Sequence, residues 1–324
     1  MDIRQLRYFI AVVEQKSFTR AASLLNIAQP ALSLHVRNME AHLGTSLLLR
    51  SSKGVVPTET GEILLRNARI ILDQLAIVEE EIRGQENDPA GEVRLGLPGT
   101  ISQILSVPLI MAARTRYPRM KLRIAEAMSG FVLDWLREQR VDLAILYNKP
   151  DDAGISLTHV LDEELVFFGP AHPARGNRAP DPAQRSLAFE DVAQFPLILP
   201  SQNHGLRDLI ERHALARTLV LNSVIDIDSY ASIKELVAVD YGYSILPFNA
   251  ISKEVEAGSL RSWRIRDPNL TRGVHIAHAV SRPKIHAVAA IESLTHEVLR
   301  ELVKSGRWAG VAPQELDIDC EMQP

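Results

Sequence analysis

Gln29, Pro30, Ser33, Leu34, His35 and Arg37 fall within one short stretch, IAQPALSLHVRNME, that runs from Ile27 to Glu40. Their chemistry suits a groove. An amide such as Gln29 or Asn38 can pair with base edges, a hydroxyl such as Ser33 with bases or phosphates, and Arg37 with guanine or phosphate. A little further on, LLLRSSKGVVP reads as a short hairpin with Arg50 at its base and Lys53-Gly54 at its tip. Such a basic tip can reach a phosphate backbone.

A second group of polar residues lies where apolar runs end and helical patterns begin. These segments are Pro98-Gly99-Thr100-Ile101-Ser102, Met128-Ser129-Gly130, Tyr147-Asn148, Pro200-Ser201-Gln202-Asn203-His204 and Asp228-Ser229-Tyr230. Backbone N–H groups and the helix dipole at such a start favour an anion. Plain N-capping explains each hydroxyl singly, so a site requires several of them to converge. The ten histidines are scattered without metal-ligand spacing. Ser201 with His204 is a local coincidence with no carboxylate to orient it, so no catalytic set, metal site or cofactor motif is assigned. The single Cys320 has no partner for a disulfide or a cysteine-based metal site.

The elements that hold these residues follow from periodicity. Ile3, Leu6, Ile10 and Val13 recur at helical spacing and give a first helix. Ser17 or Thr19 can cap a short second helix through RAASLLN, which Asn26 ends. A third helix starts near Gln29-Pro30 and carries Leu32, Val36, Met39 and Leu43 as one apolar stripe. Pro30, Ser33, Leu34, Arg37 and Asn38 are then expected on the opposite side, and Gly44 stops the helix. Two short helices joined by a tight turn, followed by a hairpin, fit a winged helix-turn-helix. Thr58 can cap a long helix over 59–83, in which Leu64, Ala68, Ile71, Leu75, Val78 and Ile82 step by four and three as a heptad seam for pairing with a second copy. GQENDPAG then reads as a hinge.

Beyond the hinge the pattern alternates strands and helices in parallel α/β fashion. The strands are VRLGL, KLRIAEA, VDLAILY, ELVFFGP, FPLILP, LVLNSVIDI, YGYSILP and GVHIAHAV, with helices near 100–116, 130–139, 206–215, 230–239 and 284–304. Two such lobes with a cleft between them fit a ligand-binding domain. The expected boundaries are 1–58 for the winged helix-turn-helix, 59–84 for the linker helix and 85–91 for the hinge. The two-lobed domain is placed at 92–305, with lobe I at 92–162 and 266–305 and lobe II at 163–265, and a tail at 306–324.

Bulk composition narrows the classes. The chain has 324 residues, 46% hydrophobic and 23% charged, which places it among globular proteins of two or three domains. Net charge is −4, but residues 1–57 hold seven basic side chains against three acidic ones, and the rest holds 29 against 37. A basic head on an acidic body is the footprint of a nucleic-acid-binding module with another function attached. No apolar run reaches the length of a membrane span and MDIRQLRYF lacks a signal-peptide layout, so no membrane partner and a cytoplasmic location are expected.

From residue 2 to about 304 the chain resembles the LysR-type transcriptional regulators. The most specific part is SFTRAASLLNIAQPALSLHVRNMEAHLGTSLLLR followed by PTETG, which is similar to the family's AA-x-x-L, Q-P-A-L-S, L-G and T-x-x-G pattern. LGLPGT, LILPSQNHGLRDLIE and YGYSILP look most like the branch containing the nitrogen assimilation control regulator. The resemblance implies an N-terminal all-α winged helix-turn-helix with a long linker helix, then an α/β effector domain of the periplasmic-binding-protein type. It implies a homodimer through the linker helix, a homotetramer as the usual assembly, and double-stranded promoter DNA, a small-molecule effector and RNA polymerase as partners.

Carried over by position, Gln29, Pro30, Ser33 and Arg37 become recognition-helix contacts, with Leu34 and His35 beside them. Arg50 and Lys53 become wing contacts, and Thr19 a backbone contact. Thr100, Ser102, Ser129, Phe131, Tyr147, Ser201, His204 and Ser229 become the effector cleft, and a small anion is the expected effector. Three features depart from the pattern. Ala28 replaces a Ser or Thr cap, Leu34 and His35 stand where polar or basic residues are common, and the tail after 305 exceeds the pattern. A solute-binding protein of the same two-lobed type is the main alternative, and the basic head argues against it. A regulator that needs no effector is the other.

Overall fold

The computed structural model describes residues 1–51, 54–83, 89–147, 149–150, 152–174, 179–181, 183–202, 204–282 and 284–311. Lys53, Asn148, Asn203, most of the expected hinge, and the tail from 312 with Cys320 lie outside the described residues. The chain falls into two compact units, Met1–Ala90 with Val280–Ala289, and Gly91–Ala279 with the segment from Ala290 on.

In the first unit, α1 (Ile3–Gln15) opens on a capping box between Asp2 and Gln5. Its buried face is Leu6, Phe9, Ala11 and Val12, whereas Ile3 is exposed and Ile10 and Val13 only pack against the core's edge. The expected stripe was displaced because the fully buried Phe9 turns inward. α2 (Phe18–Leu25) is capped by Ser17 and stopped by Asn26 in the left-handed region. α3 (Gln29–Leu43) begins at Ala28, which has the extended backbone of an N-cap but no side-chain acceptor. Leu32, Val36 and Met39 are fully buried, each contributing about 1.5–3 kcal/mol of burial. Leu43, expected in the same stripe, is exposed because the helix's last turn runs past the core.

Ala28→Ser is expected to stabilise this unit by about 1 kcal/mol by supplying the missing first-turn acceptor. Urea unfolding followed by circular dichroism measures the gain. No gain would mean that the first-turn N–H groups already have a partner.

The hairpin of β1 (Leu48–Ser51) and β2 (Gly54–Pro57) pairs Leu48 with Pro57. It is pinned to α1 by Val55 N–H donating to Lys16 O at 3.1 Å. α4 (Glu59–Arg83) starts on Thr58, whose Oγ1 accepts from Gly61 N at 3.0 Å and donates to Ser46 O at 2.8 Å. Along α4 the expected seam divides. Ala68 is fully buried and Leu64 half-buried against the head, joined there by buried Leu65. Ile71, Val78 and Ile82 are 42%, 46% and 80% exposed, with Leu75 half-buried between them. The lower part of the seam is thus core of the head, because α1 packs on it and Arg69 reaches Glu14 at 3.1 Å. Further along α4, Arg282 pairs with Asp73, which explains why Val280–Ala289 groups with this unit.

The second unit opens with β3 (Gly91–Pro98), α5 (Gly99–Arg116), β4 (Met120–Ala127), α6 (Ser129–Arg137) and β5 (Leu143–Leu146). β6 (Ile155–Pro170) follows, then β7 (Ser186–Ala188), α7 (Phe189–Val192), β8 (Leu197–Leu199) and α8 (Gly205–Leu215). β9 (Ser223–Asp226), α9 (Tyr230–Ala238), β10 (Ser244–Pro247), α10 (Phe248–Glu256), β11 (Leu260–Arg266), β12 (Thr271–Ala279) and α11 (His286–Lys304) complete the described chain. Strand order is β4-β3-β5-β12-β6-β11-β7, with β10 also on β6 and β8 paired with β9.

Only part of this sheet is parallel, against the expectation from sequence. β12 runs antiparallel to both β5 and β6, and β10 and β11 run antiparallel to β6. β6 serves both lobes. Its first half pairs with β12 and its second half, Leu165–Pro170, pairs with β10 and β11. The switch occurs around Glu163 and Glu164, where the strand leaves one lobe and enters the other.

Candidate nucleic-acid interface and ligand cleft

On α3, Gln29, Pro30, Leu34, Arg37 and Asn38 are exposed on the side away from Leu32, Val36 and Met39. From Gln29 to Asn38 there is no carboxylate. Thr19, exposed on α2, shares an open concavity at the helix turn with Ser23, Asn26 and Gln29. His35 is half-buried, its ring 5.1 Å from that of Tyr8.

Ser33 is not on the wet side as expected, being 5% exposed. Successive helical residues turn by about 100°, so Ser33 sits at the margin of the Leu32 stripe, and the hairpin closes over it. Arg50 Nη1 donates to Ser33 Oγ at 3.3 Å, and the guanidinium lies 4.2 Å from the Phe18 ring centroid. Ser33 and Arg50, read from sequence as two independent contacts, form one internal tie of hairpin to helices, while Arg50 as a whole stays exposed. Glu40, which sequence reasoning passed over, accepts from Leu47 N at 2.9 Å and Leu48 N at 3.3 Å. Its spacing before Gly44 was the available signal.

In the second unit the residues expected at the cleft separate into groups. Ser129, Phe131 and His204 line a cavity of about 260 Å³ between the starts of α6 and α8, together with Met128, Gly130, Asp134, Gln202, Gly205 and Asp228. Thr100 and Tyr147 are buried and hydrogen-bonded to each other through their hydroxyls. Ser102 and Ser229 are engaged locally, and Ser201 meets the cavity's Asp228 through its backbone. Ser102 Oγ bonds Ser106 Oγ at 2.9 Å, Ser201 N donates to Asp228 Oδ1 at 2.9 Å, and Ser229 caps α9. The true cap of α8 is His204, whose Nδ1 accepts from Leu206 N at 3.2 Å. That bond leaves no acylation role for Ser201 with His204.

Within electrostatic reach of His204 lies an ion pair that sequence reasoning missed. Arg272 of β12 donates through Nε to Glu163 of β6, their side chains 3% and 1% exposed. The guanidinium stacks 3.4 Å from the Tyr147 ring centroid, and Asn249 Nδ2 donates to Glu163 Oε2 at 3.3 Å. Burial pushes the Glu163 carboxyl up, and Arg272 pulls it back. Burial acts to lower the Arg272 pKa, but Glu163, Tyr147 and Tyr230 reverse this, so the guanidinium stays charged. Burial also raises the Tyr147 and Tyr230 hydroxyls. It lowers His204, with Arg272 adding to the effect, so the imidazole is neutral at neutral pH. A neutral ring is what its accepting Nδ1 requires.

The cavity walls therefore carry two carboxylates and a neutral imidazole but no lysine or arginine, and the nearby cation is already matched by Glu163. A plain anion, the expectation from sequence, fits these walls poorly. Among the described residues no group of three or more His, Cys, Asp or Glu could hold a metal ion, and no helix is long and apolar enough to cross a membrane.

Comparison with known proteins covers both units. Residues 3–62 match the family described as bacterial regulatory helix-turn-helix protein, lysR family, and residues 86–300 match the LysR substrate binding domain. The nitrogen assimilation regulatory protein of Klebsiella aerogenes is 30% identical over 297 residues, covering 90% of this chain and 94% of that protein. Its Escherichia coli counterpart is 29% identical over 314 residues, covering 95% and 99%. A full-length OxyR variant of Pseudomonas aeruginosa superposes with a TM-score of 0.77 at 25% identity, covering 93% and 95%. CbnR solved with its target DNA shares the fold at 20% identity and a TM-score of 0.52, covering 92% and 99%.

Proposed function

Because the chain belongs to the LysR family of bacterial transcriptional regulators, we propose that α3 enters the major groove of promoter DNA and reads it through Gln29, Pro30, Leu34, His35 and Arg37. The single observation behind this is the exposed, carboxylate-free face of α3 with Arg37 at its centre. Arg50 and Lys53 serve the phosphate backbone from the hairpin, and Thr19 serves it from α2. Leu34 contributes apolar contact to thymine methyls. Ser33 acts indirectly by holding Arg50.

The exposed Ile71, Val78 and Ile82, with Leu75, pair α4 with a second copy, and two such dimers form a tetramer that reads an interrupted two-fold site. A small molecule in the cavity between α6 and α8 shifts the balance between arrangements of the lobes, and so the bend imposed on the DNA. RNA polymerase is the downstream partner, and the protein acts in the cytoplasm. The test is titration of the full chain and of Arg37→Ala against the DNA upstream of its own gene, in which Arg37→Ala should bind more weakly.

A further inference from the structure

The last described residues return from α11 to the sheet. Trp308 is 2% exposed, and Gly310, with φ +78°, packs so closely on Phe248 that a Cβ there would lie 2.7 Å from Phe248 Cβ. Glu164 N donates to Gly310 O at 2.7 Å, and Val311 bridges Glu163 in the antiparallel sense. The chain beyond Val311 is thereby delivered to one place. Lobe I's sheet runs β4-β3-β5-β12-β6, so the first half of β6, Ile155–Asp162, is its outer strand, with β12 on the inner edge. The outer edge of such a strand presents N–H and C=O groups that can template another strand. Val311 stands at the Glu163 end of that edge, heading antiparallel towards Ile155.

Residues 312–324 lie outside the described residues, but their sequence, APQELDIDCEMQP, has a period. Glu315, Asp317, Asp319 and Glu321 alternate strictly with Leu316, Ile318, Cys320 and Met322. That is the period of a strand with one wet face. Asp is a poor strand former in general, but charged side chains on an outermost strand keep a further chain from adding. Register gives an independent check. Facing residues in an antiparallel pair alternate between those that exchange hydrogen bonds and those that do not. Glu164 and Gly310 are a bonded pair, so Glu163 and Val311 are not. Continuing that register places Ala312 opposite Asp162 as a bonded pair and Pro313 opposite Leu161 as a non-bonded one. Proline, which lacks an N–H, is tolerated in an edge strand at such an outward-facing place. We propose that residues 312–319 add to the outer edge of β6 as an antiparallel strand. The chain's own tail then covers lobe I's sheet edge, beside the point where β6 passes between the lobes.

The experiment is hydrogen–deuterium exchange with mass spectrometry on the full chain, read over 155–162 and 312–319. Both segments should be protected in the wild type. Leu316→Pro should speed exchange in both by about tenfold or more, because Leu316, in phase with Gly310 and Ala312, donates to β6. Asp317→Pro removes an N–H that points outward, so both segments should stay within about twofold of wild type. Exchange over 312–319 at the rate of an unstructured peptide would overturn the proposal and leave a solvated acidic tail. Equal effects of the two prolines would overturn it as well. Protection of 155–162 that grows with protein concentration and ignores Leu316→Pro would assign the edge to a second copy of the chain, and the proposal would again be wrong.

Discussion

Glu163→Ala is expected to destabilise the effector domain by about 3–5 kcal/mol, because it leaves the buried Arg272 guanidinium without its counter-charge. Arg272 is 4% exposed and cannot recover solvation without opening the place where β6 passes between lobes. For a domain of this size each kcal/mol moves Tm by about 2–4 °C, so the fall should be roughly 6–20 °C. Replacing both partners with apolar residues, Glu163→Leu with Arg272→Met, should restore most of the loss, since neither charge then has to be desolvated. Calorimetry on the full chain separates the cases. A single variant within about 1 kcal/mol of wild type would show that the pair is not held dry.

The second large effect is expected at Gly61. A Cβ built there lies 2.1 Å from the carbonyl oxygen of Leu47 and 3.1 Å from Pro57 Cβ. Neither neighbour is a flexible side-chain end, so Gly61→Ala must push α4 away from the hairpin. That should cost about 3 kcal/mol, the upper end for overpacking in a close-packed site. Thr58 Oγ1 and Gly61 N would separate, and with them the seat of the hairpin. The loss is expected in urea unfolding of the full chain, and near-wild-type stability would mean that α4 does not approach Leu47 so closely.

How much of this was legible in the sequence depended on the distance over which each feature is determined. The limits of α3 are local, set by Gln29-Pro30 at one end and Gly44 at the other, and the structure reproduces both. The caps at Ser17 and Thr58 are local too. Ser33 was misplaced because its burial comes from Arg50, seventeen residues on, and not from its own helix. The seam on α4 was found from its period, but a period cannot say that Ala68 belongs to the head while Ile82 stands clear.

β6 was read as the short run ELVFFGP because its first half, ISLTHVL, mixes polar residues that β12 covers only after folding. The ion pair was illegible because Glu163 and Arg272 are 109 residues apart. In the cleft the hydroxyls were noticed and the carboxylates were not, although Asp228 lay inside a quoted segment. Hydroxyls at helix starts are easily taken for ligands, when most of them only cap.

The measurement that bears most directly on the central claim is fluorescence anisotropy of the full chain on its own upstream DNA, repeated across salt concentrations. Binding should be tighter to upstream than to unrelated DNA. Its affinity should fall with salt at a slope of about −0.9 per phosphate neutralised. Arg37→Ala should weaken upstream binding by about 1–3 kcal/mol if Arg37 reads a base, with little change on unrelated DNA. Equal affinity for both DNAs, or an Arg37→Ala variant that binds upstream DNA like wild type, would contradict the assignment of α3 as the reading helix.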